Sequence, residues 1–178
     1  MKQFIYIIFF LNFCIACGNL KQVSYPFKND HSIVSLHEYY NGYGKVFKNF
    51  NEADNDENYP LPSDYFKDLL LTEQLLIRIE NIWMEDVNNY YSTIPGEKII
   101  IKNPKKYFKH YYRQYVGYVN LKGDSIVVVN LLNFKNKLKA KKYFVDWKYY
   151  FNDGMGGFYE KNRTSFVLNL NKNCIIKW

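Results

Sequence analysis

The chain has 178 residues, of which 48% are hydrophobic and 20% aromatic, and its formal net charge is +7 at pH 7. This length suits one domain with a substantial core. Arginine supplies three of the 24 basic residues, Arg78, Arg113 and Arg163. Because arginine is the preferred side chain for bidentate contacts with phosphate and guanine, this bias towards lysine argues against a nucleic-acid-binding protein.

The first predicted element is an apolar N-terminal segment. Lys2 precedes an unbroken apolar run from Phe4 to Leu11. This run suits the core of a signal peptide, roughly 7–15 residues, and is shorter than the roughly 20 residues that a membrane-spanning helix needs. The pattern therefore predicts a signal peptide over residues 1–16. The alternative is a buried N-terminal helix, which would need a core on every side because it is apolar all round.

The segment ends in Ile15, Ala16 and Cys17, followed by Gly18. This ending resembles the lipobox of bacterial lipoproteins, although Cys14 stands where that family usually has Leu. The resemblance implies cleavage after Ala16, diacylation of the Cys17 thiol and acylation of the new amine. The protein would then be anchored through its acyl chains to a membrane of the bacterial cell envelope, with the outer membrane expected. A signal peptide cleaved without lipidation is the alternative.

The cysteines also limit the chemistry of the mature chain. Cys14 would leave with the signal peptide and Cys17 would be modified, so Cys174 would remain alone. A single thiol forms neither an intramolecular disulfide nor a cysteine-based metal site. The three histidines show no metal-ligand spacing. We therefore predict no metal and no cofactor.

After cleavage, residues 17–32 are expected to form the lipidated N-terminus and a flexible tether. Residues 33–178 are expected to form a single domain with its core in residues 66–178. A short strand is expected near Ile33 to Tyr40, before the glycines at positions 42 and 44 interrupt the pattern.

The strongest periodic pattern follows Thr72 and predicts a helix from about Thr72 to Tyr91. Thr72 is a suitable N-cap, and Pro95 and Gly96 end the helical pattern. Polar residues, Arg78 and Glu80 among them, are assigned to the solvent face. The apolar stripe, which predicts packing against a sheet, comprises Leu75, Leu76, Ile79, Ile82, Trp83, Val87 and Tyr90.

Two antiparallel hairpins are predicted beyond this helix. The first joins residues 107–120 to residues 125–134 around a short segment containing Gly123, and its apolar run from Ile126 to Leu132 predicts a central strand covered on both faces. The second joins Phe158–Asn169 to Cys174–Trp178. A further short strand, or a strand-like connector, is expected over Lys98–Lys102.

Residues 135–150 alternate between basic and apolar side chains. The lysines are Lys135, Lys137, Lys139, Lys141, Lys142 and Lys148. A helix that buries Leu138 is one interpretation, although the period is poor. A solvated lysine-rich loop is the preferred interpretation, and attraction to an anionic membrane surface is the functional alternative.

Candidate ligand-binding residues are few. Arg113 and Gln114 are neighbours on a predicted strand, so they should face opposite sides of the sheet. An arginine at the centre of a sheet would need a carboxylate partner. Asp153 lies in a glycine-rich turn beside aromatic residues. No catalytic residue is predicted.

The run from Tyr111 to Tyr118, the apolar strand after it, Trp147 and the turn from Asp153 to Gly157 resemble a group of small exported bacterial proteins, many of them lipoproteins, without assigned activity. The resemblance covers roughly residues 72–178 and implies an α+β fold. We expect one long helix packed on a four- or five-stranded antiparallel sheet, in a cystatin-like or nuclear-transport-factor-like layout.

The expected function is a non-enzymatic binding domain of an envelope lipoprotein, which contacts a protein or small ligand through a sheet face or a strand edge. One alternative is an envelope hydrolase with dispersed carboxylates, for which Asp146 and Asp153 are candidates. The other is a binder of the inhibitor or immunity type.

Overall fold

The computed structural model describes residues 23–54, 61–96, 99–152, 154 and 156–176. In this part of the chain a mixed seven-stranded sheet is packed with five helices. The fold class is therefore α+β, as predicted. The predicted signal peptide and Cys17 lie outside the described residues, as does Asp153.

The strands are β1 Ile33–Val34, β2 Gly44–Val46, β3 Tyr65–Asp68, β4 Tyr111–Asn120, β5 Ser125–Asn133, β6 Arg163–Asn169 and β7 Cys174–Ile176. The helices are α1 Phe50–Ala53, α2 Glu73–Ser92, α3 Pro104–Tyr107, α4 Lys137–Tyr143 and α5 Gly157–Asn162. With 20 residues, α2 is much longer than the other four, which have four to seven residues.

The sheet has the order β1-β2-β4-β5-β6-β7, and β3 pairs with the same edge of β4 as β2 does, nearer its C-terminal end. The β2–β4 pair is parallel, with Lys45 opposite Gln114. The other strand pairs are antiparallel. The long β4–β5 hairpin lies at the centre, so both of its faces need a cover.

One face of the sheet is covered by α2, which begins at the predicted N-cap, where the Thr72 hydroxyl accepts a hydrogen bond from the Leu75 amide at 3.4 Å. The inward side chains of α2 are spaced three and four residues apart, which keeps them on one side of the helix. The sheet presents alternate residues of its central strands to this core. The principal members are Leu76, Ile79, Trp83, Val87, Tyr115, Val127, Val129, Leu131, Phe166 and Leu168.

The opposite face is covered without a long helix. Phe47 and Phe50 pack there against Val116, Val128 and neighbouring side chains. Further along the hairpin, the segment that follows β5 folds back over the sheet. Its buried side chains form a second cluster with Leu132, namely Phe134, Ala140, Phe144 and Trp147.

Several predicted elements are confirmed. The helix predicted from about Thr72 to Tyr91 is α2, the first predicted hairpin is β4–β5, and β5 is buried along its centre on both faces. In the second hairpin, Phe158 and the residues just after it are helical, and strand pairing begins at Arg163.

The more detailed layout is wrong in three respects. The sheet has seven strands instead of four or five, it is not purely antiparallel, and the single expected helix is accompanied by four short ones. The short strand expected near Ile33 to Tyr40 is present as β1, which has two residues, whereas β2 and β3, with three and four residues, are not predicted. Such short strands carry too few positions for an alternating pattern to be recognised.

Residues 99–102 form a connector, which is the alternative to a short strand. The solvated loop preferred for residues 135–150 is wrong over α4, which is helical. Leu138, expected to be buried in the helical alternative, is 85% exposed. The reason is geometric: Ala140, Phe144 and Trp147 lie on the inward side of this segment at helical spacing, which directs Leu138 outward. Within the described ranges, no helix has the length and hydropathy required to cross a bilayer.

Candidate functional site

Arg113 faces α2 and is fully buried. Its guanidinium forms an ion pair with Glu80, with 3.2 Å between Arg113 Nη2 and Glu80 Oε2. Arg113 Nη1 donates to the carbonyl oxygens of Phe108, at 2.9 Å, and Tyr111. The expected carboxylate partner is therefore present, but Glu80 was wrongly assigned to the solvent face of α2.

Two tyrosines complete this buried cluster. The Tyr115 hydroxyl donates to Glu80 Oε1 at 2.7 Å, and the Tyr40 ring lies 4.3 Å from the Arg113 guanidinium carbon. Burial, reinforced by the negative charge of Glu80, raises the pKa of both Tyr40 and Tyr115 above the usual value. Both hydroxyls therefore stay protonated at neutral pH, and the cluster holds one positive and one negative charge.

Gln114 points to the opposite face and is also fully buried. Its Nε2 donates to the carbonyl oxygens of Trp147 and Tyr150, at 2.7 and 2.6 Å. Its Oε1 accepts from Asn130 Nδ2 and from the backbone amide of Asn152, both at 2.8 Å. Gln114 thus fastens residues 147–152 to the sheet.

Arg113 and Gln114 therefore lie on opposite faces with their polar groups used by the fold. Neither residue forms a cross-strand pair on a solvated face, which is the interpretation preferred to ligand binding for these two residues. A ligand reaching either side chain would first have to displace α2 or the segment that covers Gln114. The third candidate, Asp153, lies outside the described residues.

A broad cleft at one end of the β4–β5 hairpin is a more accessible candidate, and sequence reasoning missed it. Its volume is about 1120 Å³. It lies between the 99–111 segment, which includes α3, and the residues around Glu38 and Asn133. Four lysines within eight residues, Lys102, Lys105, Lys106 and Lys109, are the signal that could have found it.

Hydrogen bonds to backbone groups hold the walls of the cleft in place. Asn88 of α2 accepts from the Ile101 amide at 2.7 Å and donates to the Ile101 carbonyl at 3.0 Å. Asn103 caps α3 by accepting from the Lys106 amide at 2.9 Å. The Asn41 amide donates to the Lys109 carbonyl at 2.7 Å. These contacts fix the backbone positions from which the lysines project.

The charge of the lining is strongly positive. Lys135 joins the four lysines named above, and among the described residues Glu38 is the one carboxylate in the lining. Glu38 pairs with Lys105 at 2.7 Å, and both side chains are about half exposed, so this pair compensates one charge. The remaining lysines give the cleft a net positive field, which attracts anions.

Apolar side chains lie beside these charges. Ile100 is 80% exposed, Tyr107 is 58% exposed and Ile99 is 46% exposed. Ile101, between them in the chain, is buried in the main core. The cleft therefore offers apolar contacts next to lysine ammonium groups, a combination suited to a ligand that carries both negative charge and apolar side chains.

The described lining of the cleft contains one histidine and no cysteine. Across the described ranges, no group of three or more His, Cys, Asp or Glu side chains is placed to hold a metal ion. His110 lies in the cleft lining, whereas His37 contacts Ser24 at 2.9 Å. The arrangement supports electrostatic binding of an anionic group.

Comparison with known proteins returned no match: no family model, curated protein or solved structure corresponds to this chain. The physical properties of the described residues are therefore the basis for the functional argument.

Proposed function

We infer that this protein is an envelope lipoprotein whose domain binds an acidic segment of another envelope protein in the lysine-lined cleft, without catalysing a reaction. The observation that supports the binding role is the cleft lining, which has five lysines, one ion-paired carboxylate and exposed isoleucine side chains. The lipid anchor at Cys17 is the sequence-based part of the proposal.

The cleft is a better binding surface than the sheet itself. One sheet face is covered by α2, and the other is covered by α1 and by the segment after β5. The edge strands β1, β3 and β7 have two, four and three residues. A strand-addition partner would gain few backbone hydrogen bonds from edges this short.

An acidic protein segment fits the chemistry of the cleft. Carboxylates would pair with lysines such as Lys106 and Lys109, and an apolar side chain of the segment would contact Ile100. Both lysines are exposed, so each pair alone would contribute little, and the affinity would come from several charges acting together. The binding would therefore weaken as salt is raised.

The hydrolase alternative receives less support. Glycoside hydrolysis by the usual mechanism needs two carboxyl groups flanking the bond that is cleaved. In the described lining of the cleft, Glu38 is the single carboxylate, and it is paired with Lys105.

An inhibitor or immunity role is compatible with the same cleft, and it predicts a complex of fixed stoichiometry. We also propose a cystatin-like or nuclear-transport-factor-like layout for the helix and the central strands, and such a layout implies no function by itself.

The binding role is tested by site-specific cross-linking in cells. A photo-cross-linking amino acid replaces Ile100, and in a matched strain it replaces Leu121, which is 67% exposed in the turn between β4 and β5. We expect a discrete protein adduct from position 100 and none from position 121. Adducts of equal yield at both positions, or none at either, would refute the proposal.

Charge reversal provides the second arm of this test. Lys106→Glu combined with Lys109→Glu should reduce the adduct on the order of tenfold, which corresponds to a loss of about 1.4 kcal/mol. Lys122→Glu combined with Lys172→Glu changes the net charge equally at exposed positions in other turns, and it should leave the adduct unchanged. Equal losses in the two double variants would show a nonspecific charge effect and would contradict a specific cleft.

The anchor is tested separately by mass spectrometry of the mature protein. The proposal predicts a chain that begins at Cys17 and carries acyl chains. Cys17→Ser should abolish the acylation, whereas Cys14→Ser should leave it intact. An unmodified Cys17 would disprove the lipid anchor without bearing on the cleft.

A further inference from the structure

The segment from Lys135 to Tyr150, which includes α4, forms a basic and apolar surface that we call the lysine shoulder. Five of its lysines, at positions 135, 137, 139, 141 and 142, are exposed, and its one acidic residue is Asp146. Leu138 is 85% exposed, and Val145 and Tyr149 are each 65% exposed. Large apolar side chains are thus held in solvent among lysines.

The shoulder is fixed to the domain from below. Ala140, Phe144 and Trp147 are buried. Asn136 caps α4 by accepting from the Lys139 amide at 3.1 Å, and Gln114 binds the carbonyl of Trp147. The exposure of Leu138 and Val145 therefore results from packing of the other side of this segment, and these residues are presented in a fixed arrangement.

The N-terminal part of the chain passes beside this surface. Phe27 lies 4.5 Å from Lys148 Nζ, measured to the ring centroid, and its ring is 6.2 Å from that of Tyr43. Cys17 precedes Phe27 by ten residues, which span at most about 35 Å when extended. A lipid anchor at Cys17 would therefore hold the domain with the shoulder close to the bilayer.

We propose that the lysine shoulder binds to the surface of an anionic lipid bilayer. Lysine ammonium groups interact with anionic head groups, while Leu138, Val145 and Tyr149 enter the boundary between head groups and acyl chains. The flexible lysine stems suit this role, because they can lie along apolar surface while the charge stays in water. The position of the anchor rests on the proposed function, whereas the composition of the shoulder does not.

The consequence is a defined orientation of the tethered domain. Lys135 belongs both to the shoulder and to the lining of the cleft. Seating the shoulder on the bilayer would therefore place the cleft beside the membrane surface, where it could reach a segment of a neighbouring membrane protein.

The test is fluorescence of the full protein on vesicles of phosphatidylcholine with or without phosphatidylglycerol. An environment-sensitive dye is attached at Leu138→Cys, or at Leu121→Cys as the control, with Cys14→Ser and Cys174→Ser in both. Leu121 follows β4, a ten-residue strand, and lies at the end of the hairpin opposite the shoulder, about 30 Å away along the strand. We expect a blue shift at position 138 on anionic vesicles alone and none at position 121.

Charge reversal within the shoulder is the decisive comparison. Lys137→Glu with Lys141→Glu should abolish the shift, and Lys122→Glu with Lys172→Glu should preserve it. High salt should also reverse it, because the attraction is electrostatic. Equal emission from position 138 on neutral and anionic vesicles would overturn the proposal. A blue shift that appears only when a lipid-free envelope extract is added, and not on anionic vesicles, would also overturn it, because it would indicate a protein partner.

Failure of the anchor remains distinguishable from failure of the shoulder. Sedimentation with vesicles of phosphatidylcholine alone, which the shoulder is not expected to bind, is compared between the protein with Cys17 and Cys17→Ser, and it reports the anchor. The dye at position 138 is read in both forms and reports the shoulder. A Cys17→Ser protein that sediments equally well but shifts on anionic vesicles would disprove the anchor and support the shoulder.

Discussion

Each face of the sheet buries a polar side chain, and the two faces compensate it with different chemistry. Two adjacent residues of β4 show the difference. Arg113 is covered by the long helix α2 and compensated by Glu80. Gln114 is covered by residues 147–152, which lack regular structure, and is compensated by backbone groups of that segment. A buried charge requires an opposite charge, whereas a buried amide can satisfy an irregular backbone.

This difference explains why the lysine shoulder lies on the face opposite α2. On the helix face, Glu80 is held in register by the hydrogen bonds of α2 itself. On the other face, Gln114 and Asn130 form a polar network that fastens the covering segment from below. Residues 135–146 lead into that segment, and their outer side carries most of the lysines and exposed apolar residues of the shoulder.

The largest expected effect is on the helix face. Arg113→Met leaves Glu80 buried without its partner, and the free energy of unfolding should fall by about 3–5 kcal/mol. Chemical denaturation measures this loss. The double variant Arg113→Met with Glu80→Leu removes both charges and should recover most of the stability. A double variant less stable than the single one would contradict this account of the pair.

A smaller effect is expected on the other face. Gln114→Leu leaves the buried Trp147 carbonyl unsatisfied, which costs about 1–3 kcal/mol. The Tyr150 carbonyl and the Asn152 amide, in contrast, are partly buried and can be reached by water. The free energy of unfolding should therefore fall by about 2–3 kcal/mol. Limited proteolysis should show faster cleavage near Lys148. In Arg113→Met, which acts through α2, cleavage at Lys148 should not be selectively faster. Selective exposure in both variants would mean that the two faces are not independent.

A third prediction concerns the start of α2. Thr72→Ala removes the N-cap hydrogen bond to the Leu75 amide, so the free energy of unfolding should fall by about 1 kcal/mol. Thr72→Ser keeps the hydroxyl and serves as the control in the same denaturation experiment. Equal losses in both variants would show that the threonine methyl group, and not the cap, stabilises the helix.

The smallest expected effect is a loss of stability that is absent at neutral pH and develops at alkaline pH. Burial, with a contribution from neighbouring Tyr107 and Tyr91, raises the pKa of Tyr111 from 10.0 to about 12. The unfolded chain therefore loses this proton at lower pH than the folded protein does, and stability falls as the pH rises above 10 and passes 12. Denaturation at increasing pH checks the slope, which Tyr111→Phe should reduce. An unchanged slope in that variant would exclude Tyr111 as a source.

Elements with local, repeated patterns were predictable from the sequence. Helix α2 has an apolar stripe over five turns, and the β4–β5 hairpin has two long runs joined by a short turn. Strand β2 has three residues and pairs in parallel with a strand more than 60 residues later in the chain. Nothing within those three residues identifies their distant partner.

The site was less predictable because it depends on which side chains face each other. The need for a carboxylate beside Arg113 could be inferred from the cost of burying a charge. The identity of that carboxylate, Glu80, becomes visible only when it is placed four residues after Leu76 and three before Trp83, on the buried stripe. The cleft combines Glu38, the 99–111 segment and Lys135, which lie far apart in the sequence.

The attachment of α2 to the end of the described chain has a consequence for folding during synthesis. Arg78 Nη2 donates to the Leu170 carbonyl at 2.6 Å, and Asp86 Oδ2 accepts from the Ile175 amide at 2.7 Å. The helix is thus fastened to residues made about 90 positions later. Contacts over such separations form slowly, because a long loop must close first. The domain therefore cannot close until residues 170–175 have left the ribosome.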